Sequence, residues 1–385
     1  MLKKLKMFFA FSFLLLVFAG CQKDFSPTNV PEDNNTQTLA KNGFNGSTAL
    51  YTLSNSTSGN EVIVFAGGGH GGLYPAGSYS TGGLGTGAGL GSQGALVLSG
   101  GFLFAVNAGS DEVSVLRVGR HGLTLTDKVA SGGTTPISLT VHGHLLYVLN
   151  AGGSGNITGF RVSQSGKLTP ISGSTQPLSG SAVGPAQIEF NPWGRILVVT
   201  EKATNSITTY VVGFDGKAGA PNTQPSAGDT PYGFEFDNRG HLIVSDAFGG
   251  GANAGAMSSY NVNFGGISLI SGPIADSQTA PCWVVVTKNG RFAYTSNTGT
   301  ANISGYRIGH RGTLRLFNDG GNTASTGAGS KPIDMAVSGN SQYLYCLNSG
   351  NQSISVFRID NGHGRLFSVQ TVSGLPAGGV GLAAE

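Results

Sequence analysis

The sequence predicts an all-β chain: seven four-stranded β-blades in a closed ring, a seven-bladed β-propeller whose C-terminal strand joins the N-terminal blade. Three observations predict it. A short phrase recurs every 43 to 53 residues, each copy is flanked by runs that alternate with period two, and a deficit at one end matches a surplus at the other.

The recurring phrase reads FLFAVNAG, LLYVLNAG, ILVVTEKA, LIVSDAFG, FAYTSNTG, YLYCLNSG and, more loosely, ALYTLSNS. Aligned on its asparagine, the phrase falls at Ser54, Asn107, Asn150, Glu201, Ala247, Asn297 and Asn348. That period suits one propeller blade. Before the phrase lies a short apolar run, usually opened by proline, as in GPAQIEF, TPYGFEF and APCWVVV. After it comes an alternating run such as ITGFRV or ISGYRI, then a glycine turn and a fourth short run. Period-two alternation with turns every eight to twelve residues is the mark of an antiparallel meander. The first repeat, Ala49 to Tyr79, lacks its opening run, whereas Pro376 to Ala384 reads as an opening run with nothing after it. An innermost strand donated from the C-terminus closes the ring and removes a free sheet edge. An open solenoid would not explain the matched ends.

Composition narrows the function classes. The chain has 385 residues, 64 of them glycine, with 11% charged residues and a net charge of +3. So small a charge gives no reason to expect nucleic acid as a partner. No zinc-type His/Cys spacing occurs, and no Gly-rich loop lies between a strand and a helix, so neither metal nor cofactor is expected.

The first twenty residues form a targeting segment. Lys3, Lys4 and Lys6 precede an apolar run, Met7 to Phe18, too short for comfortable membrane spanning. The ending Phe18-Ala19-Gly20-Cys21 resembles a bacterial lipobox, which implies lipidation at Cys21. Gln22-Lys23-Asp24 resembles a short export signal of surface lipoproteins. The expected organisation is a signal segment at 1–20, a polar tether at 21–46 and the propeller at 47–385. The expected location is the cell envelope, at the outer membrane or cell surface, with membrane contact through the lipid. Cys282 and Cys346 sit in apolar runs and read as small buried hydrophobes.

GRFAYTSNTGTANISGYRIGHRGTL, from Gly290 to Leu314, and QYLYCLNSGNQSISVFRIDNGHGRL, from Gln342 to Leu366, resemble the lactonase-type seven-bladed propellers. That group includes 6-phosphogluconolactonase and 3-carboxy-cis,cis-muconate cyclase. The resemblance implies catalytic His, Arg and Glu at one channel mouth. By position these fall near Ala186, at Tyr232 and Gly233, and near Phe248, none of which has the required chemistry. The resulting expectation is an envelope propeller that binds a small molecule or an envelope partner. The alternative is a lactonase or cyclase-type enzyme using substitute groups.

The candidate catalytic substitutes are Glu189, Glu235 and Glu201. Glu189 and Glu235 hold equivalent places in adjacent repeats, as an acid–base pair, as cation ligands, or as two separate structural carboxylates. Glu201 and Lys202 replace the usual asparagine and small residue, with Asp246 nearby, as an added function or as a salt bridge at a loop. Gln187, Tyr232, Trp283 and Asp334, near the starts of innermost strands, either line a ligand pocket or fill the channel. The loops Gly82 to Gly94, Ala151 to Asn156 and Ala247 to Met257 share this face and expose backbone groups.

The opposite face should be basic. Arg117, Arg161, Arg307 and Arg358 end third strands, and the turns beyond add Arg120, His121, Lys167, His310, Arg311, His363 and Arg365. This rim either attracts anionic envelope material or consists of arginines whose stems cover apolar surface.

Overall fold

The computed structural model describes residues 49–385; the targeting segment, the tether and Cys21 lie outside them. Seven antiparallel sheets form, numbered here as blades one to seven in chain order. The innermost strands of blades two to seven are Leu96–Ser99, Pro136–His142, Pro185–Phe190, Pro231–Phe236, Pro281–Val286 and Pro332–Val337. Blade one combines Ala49–Leu53, Glu61–Gly67 and Leu73–Ser80 with Val380–Ala384 from the C-terminus. The exchanged strand pairs Leu50 with Ala384 and Tyr51 with Ala383, as the matched ends predict.

Period two explains why these sequences form blades. Every second residue of an inner strand faces the channel, and the others pack against the neighbouring sheet. The second strands, with patterns such as LLYVLN and YLYCLN, are buried between neighbouring blades and carry near-continuous apolar runs. Buried tyrosines stitch blades together at their hydroxyls. Tyr147 of blade three donates to the Gly216 carbonyl of blade four at 2.8 Å and accepts from the Ala218 amide at 2.7 Å. Tyr294 of blade six donates to the Gly364 carbonyl of blade seven at 2.8 Å. Cys282 and Cys346 are buried and unbridged.

The recurring asparagine has a physical reason. At the end of the second strand it is fully buried and its amide donates into the third strand. Asn107 reaches Ser114 at 2.8 Å, Asn297 reaches Ser304 at 2.8 Å and Asn348 reaches Ser355 at 2.9 Å. Blades four and five invert this bond. Thr208 donates to Glu201 at 3.0 Å and Ser258 donates to Asp246 at 2.5 Å. Asp246, which pairs with Pro231 and Ala256 as Asn297 pairs with Pro281 and Asn302, therefore holds the asparagine slot of blade five. The sequence alignment on Ala247 was one residue too far, because the loop after Asp246 mimics the phrase ending.

Candidate functional site: the central channel

The inner strands enter the ring at one mouth and leave at the other. Two rings of side chains project inward from them. The upper ring includes Ser138, Gln187, Trp283 and Asp334, with Gly233 supplying no side chain. Two residues further on, the lower ring holds Val97, Thr140, Glu189, Glu235, Val285, Ala336 and Ala383.

The entry mouth is filled from within. The connection between blades one and two crosses it at Gly91 to Gly94. The Ser92 hydroxyl donates to the Ile137 carbonyl at 2.7 Å, and the Ser92 carbonyl accepts from Trp283 Nε1 at 2.9 Å. Gln93 donates its backbone amide to Ala186 at 3.1 Å. Its side chain pairs with the backbone of Val284 in both directions, at 2.7 and 3.0 Å. Lys202 Nζ donates to the Gly91 carbonyl at 2.6 Å and lies 4.4 Å from the centre of the Tyr232 ring. The Tyr232 and Trp283 rings are 5.2 Å apart and almost fully buried. One loop is thus bonded to blades three, four and six.

Gly233 makes this possible. A Cβ there would run into Gln93 Oε1, the Cys282 carbonyl and the Trp283 backbone. The missing side chain is the space the Gln93 amide occupies. Ala186 and Tyr232, two further positions the lactonase resemblance singles out, lie against the same plug, and Phe248 sits outside the channel in the loop after blade five's second strand. Within the loop Gly82 to Gly94, Ser92 and Gln93 are buried and bonded into the channel, whereas Gly82, Leu84 and Gly87 to Gly89 stay exposed.

Beyond the plug, a cavity of about 420 Å³ runs along the channel past Gln187, Asp334, Glu189, Glu235 and Lys288. Gln187 bonds the Phe234 backbone in both directions, at 2.8 and 2.7 Å, and donates to Glu189 at 3.1 Å. Glu189 and Glu235 stand at equivalent positions on adjacent inner strands, and each shifts the pKa of the other. Both keep some exposure to the lumen, yet protein encloses them, and that burial raises both pKa values. The charge on Glu235 raises Glu189 further, while Lys288 acts against both shifts. Two carboxyls so coupled titrate as a pair. Lys288 lies in the turn after blade six's inner strand, at the exit mouth, where Gly290 adopts φ +67° to close the turn.

Asp334 is buried to 3% exposure and its carboxyl is pushed up to about 8 by desolvation, against backbone bonds from Met335 and Leu382. It is mostly protonated at neutral pH. Glu201 lies apart from the channel groups. Its oxygens accept from the Ser179 amide at 3.1 Å, the Ser179 hydroxyl, and Thr208 at 3.0 Å. Lys202 Nζ reaches the plug, where it donates to the Gly91 carbonyl. Among the described residues no three His, Cys, Asp or Glu side chains come together as a metal site would require.

Comparison with known proteins agrees with the ring. A curated 6-phosphogluconolactonase of Pectobacterium carotovorum is 22% identical over 278 residues, 72% of this chain and 66% of the relative, so the chain spans just under two thirds of that relative's length. A second, from Pectobacterium atrosepticum, is 34% identical over 73 residues, 19% of this chain and 21% of the relative. Among solved structures, the periplasmic gluconolactonase of Pseudomonas aeruginosa matches with a TM-score of 0.66 at 17% identity, covering 86% of this chain and 98% of the other. A protein from Lactobacillus plantarum matches with a TM-score of 0.70 at 17% identity, covering 88% and 99%. The family described as lactonase, 7-bladed beta-propeller, matches residues 48–181, 174–247 and 252–380. With seven blades and family matches along nearly all of the described residues, the chain belongs to the lactonase seven-bladed β-propeller family.

Proposed function

We propose that this chain is a binding member of its family, without lactone chemistry at the usual mouth, held to the cell envelope by a lipid on Cys21. The observation that carries the reading is the plug. Ser92 and Gln93 occupy the space beside Ala186, Tyr232 and Gly233, where the family resemblance implies catalytic side chains. Lactone opening needs a proton donor or acceptor and a stabilised oxyanion. At this mouth Ala186, Gly233 and a backbone-bonded Gln93 offer no such group, and Lys202 is bonded to the Gly91 carbonyl of the plug. The open end of the channel, with Lys288 beside Glu189 and Glu235, suits a small polar ligand or a partner's side chain.

Assayed against 6-phosphogluconolactone, gluconolactone and related sugar-acid lactones, the protein is expected to give no hydrolysis above background. A kcat/KM in the enzymatic range, about 10⁴ M⁻¹s⁻¹ or more, would sink this reading. One observation favours a second reading. Burial raises the pKa of both Glu189 and Glu235, on adjacent inner strands, as in an acid–base couple. Hydrolysis abolished by Glu189→Gln in a protein of unchanged melting temperature would establish that enzyme in place of the binder.

The anchor has its own test. Cys21→Ser is expected to leave the protein without lipid and to shift it from the membrane fraction to the soluble one. A Cys21→Ser protein that still carried lipid would refute the anchor while leaving the plug argument intact.

A further inference from the structure

The basic residues are not spread evenly around the ring. Residues 281–385, which make up blades six and seven and the closing segment, hold eight Lys or Arg against three Asp and one Glu, although the whole chain is only +3. One of those four acids, Asp334, sits in the channel, where burial pushes its pKa up to about 8. The excess gathers at a cleft of about 590 Å³ between the outer strands of blades six and seven, remote from the channel. Arg307, Arg315, His363 and Arg365 line it, with Phe317 and Phe367.

The arrangement is unfavourable for the protein alone. Arg307 and Arg315 stand directly opposite each other on paired strands. Like charges so placed destabilise a sheet. Among the described residues no ion pair reaches Arg307, Arg315 or Arg365. Arg307 lies over the Phe292 ring at 5.3 Å, much as Arg117 on blade two lies over Phe102 at 5.0 Å, and Arg161 on blade three donates to the Asp215 carbonyl at 2.6 Å. Arg315 and Arg365 are exposed and make no such bond.

We propose that this cleft binds an acidic saccharide, one whose carboxylate or sulfate groups the three guanidiniums take up. Guanidinium groups bind such oxyanions through paired, charge-assisted hydrogen bonds. Cations presented from two neighbouring blades match a charge repeated along a chain better than one isolated ion. The site is concave and of small-molecule size, which admits a sugar ring; a lipid surface would meet a flat or convex patch instead. Phe367, 45% exposed, holds the Arg358 guanidinium over its ring at 4.7 Å, so the wall beside the cleft is both aromatic and cationic.

The test is titration calorimetry of the soluble domain with a galacturonate oligosaccharide, an uncharged glucan oligosaccharide of equal length, and phosphatidylglycerol vesicles. The galacturonate should bind, more weakly as salt is raised; the glucan should not. Arg315→Ala/Arg365→Ala should reduce galacturonate affinity about tenfold or more, as loss of charged hydrogen bonds does. Arg117→Ala/Arg161→Ala, on blades two and three, should leave it unchanged. Both double variants must melt with the wild type, which the exposure of these side chains leads one to expect. Binding that is equal in the Arg315/Arg365 variant, no galacturonate binding at low salt, or binding to vesicles alone would each overturn the proposal. None of these outcomes bears on the channel, which the lactone assays address separately.

Discussion

Deleting Gly378 to Glu385 is expected to abolish cooperative folding of the ring. The deletion removes the inner strand of blade one, and with it the ladder from Leu50–Ala384 to Leu53–Val380. Val380, Leu382 and Ala383 are 5 to 7% exposed and divide between two core clusters, on either side of blade one. Burying a valine or leucine contributes about 1.5–3 kcal/mol each. The Tyr51 hydroxyl also loses Glu385, its partner at 2.9 Å, and the Gly339 amide loses the Glu385 carbonyl. Together these losses approach the whole net stability of an ordinary domain, about 5–15 kcal/mol. The bare edge of Ala49–Leu53 would then invite pairing between molecules. Thermal melts by circular dichroism, with light scattering for aggregation, give the readout. A truncated protein that melts with the wild type would refute closure by this strand. Leu382→Ala should give the milder form of the same defect, about 2–5 kcal/mol.

Asp334→Asn should stabilise the protein, and by more at alkaline pH. The Asp334 carboxyl ordinarily protonates near 3.8, but in the channel it is pushed up to about 8. The folded state therefore holds a proton that the unfolded state has lost between these values. Stability supplied by that protonated form is full below the unfolded pKa. It declines as pH rises and is gone once pH passes the folded value, where the buried carboxylate must ionise. Asparagine keeps an acceptor for the Met335 and Leu382 amides and never ionises. The expected gain is on the order of 2–4 kcal/mol near pH 9, allowing for relaxation around the channel, and about 1 kcal/mol near pH 5. Denaturant titrations at the two pH values measure it. A gain no larger at the higher pH would show that Asp334 is not held protonated.

Blade architecture was legible in this sequence because its signals are local. Alternation in ITGFRV or ISVFRI, and the asparagine of Asn107 or Asn348, follow from bonds inside one hairpin. Even Glu201 and Asp246 obey that logic, since a carboxylate accepts from Ser or Thr where an amide would donate. Glu189 and Glu235 were found as equivalent positions, because the period of two sends both toward the axis. Their electrostatic coupling was not legible, since it depends on how closely two inner strands approach at the centre. The plug was harder still. Gln93 meets Val284 across 191 residues, from a glycine-rich loop that repeats nowhere else. The one available signal was a glycine, Gly233, at an inward position where neighbouring repeats carry Gln187 and Trp283.

The shared blade also sets an order of events. Blades two to seven each draw all their strands from one continuous stretch, so each can assemble as that stretch becomes available. Blade one must wait, because Tyr51 and Ala383 are 332 positions apart along the chain. Contacts between such distant segments form slowly, since the chain must lose so much freedom before they are made. Until the last strand docks, Leu50 and Tyr51 keep an unpaired edge beside them. The clasp that seals the finished ring is therefore also its latest-forming and most aggregation-exposed joint.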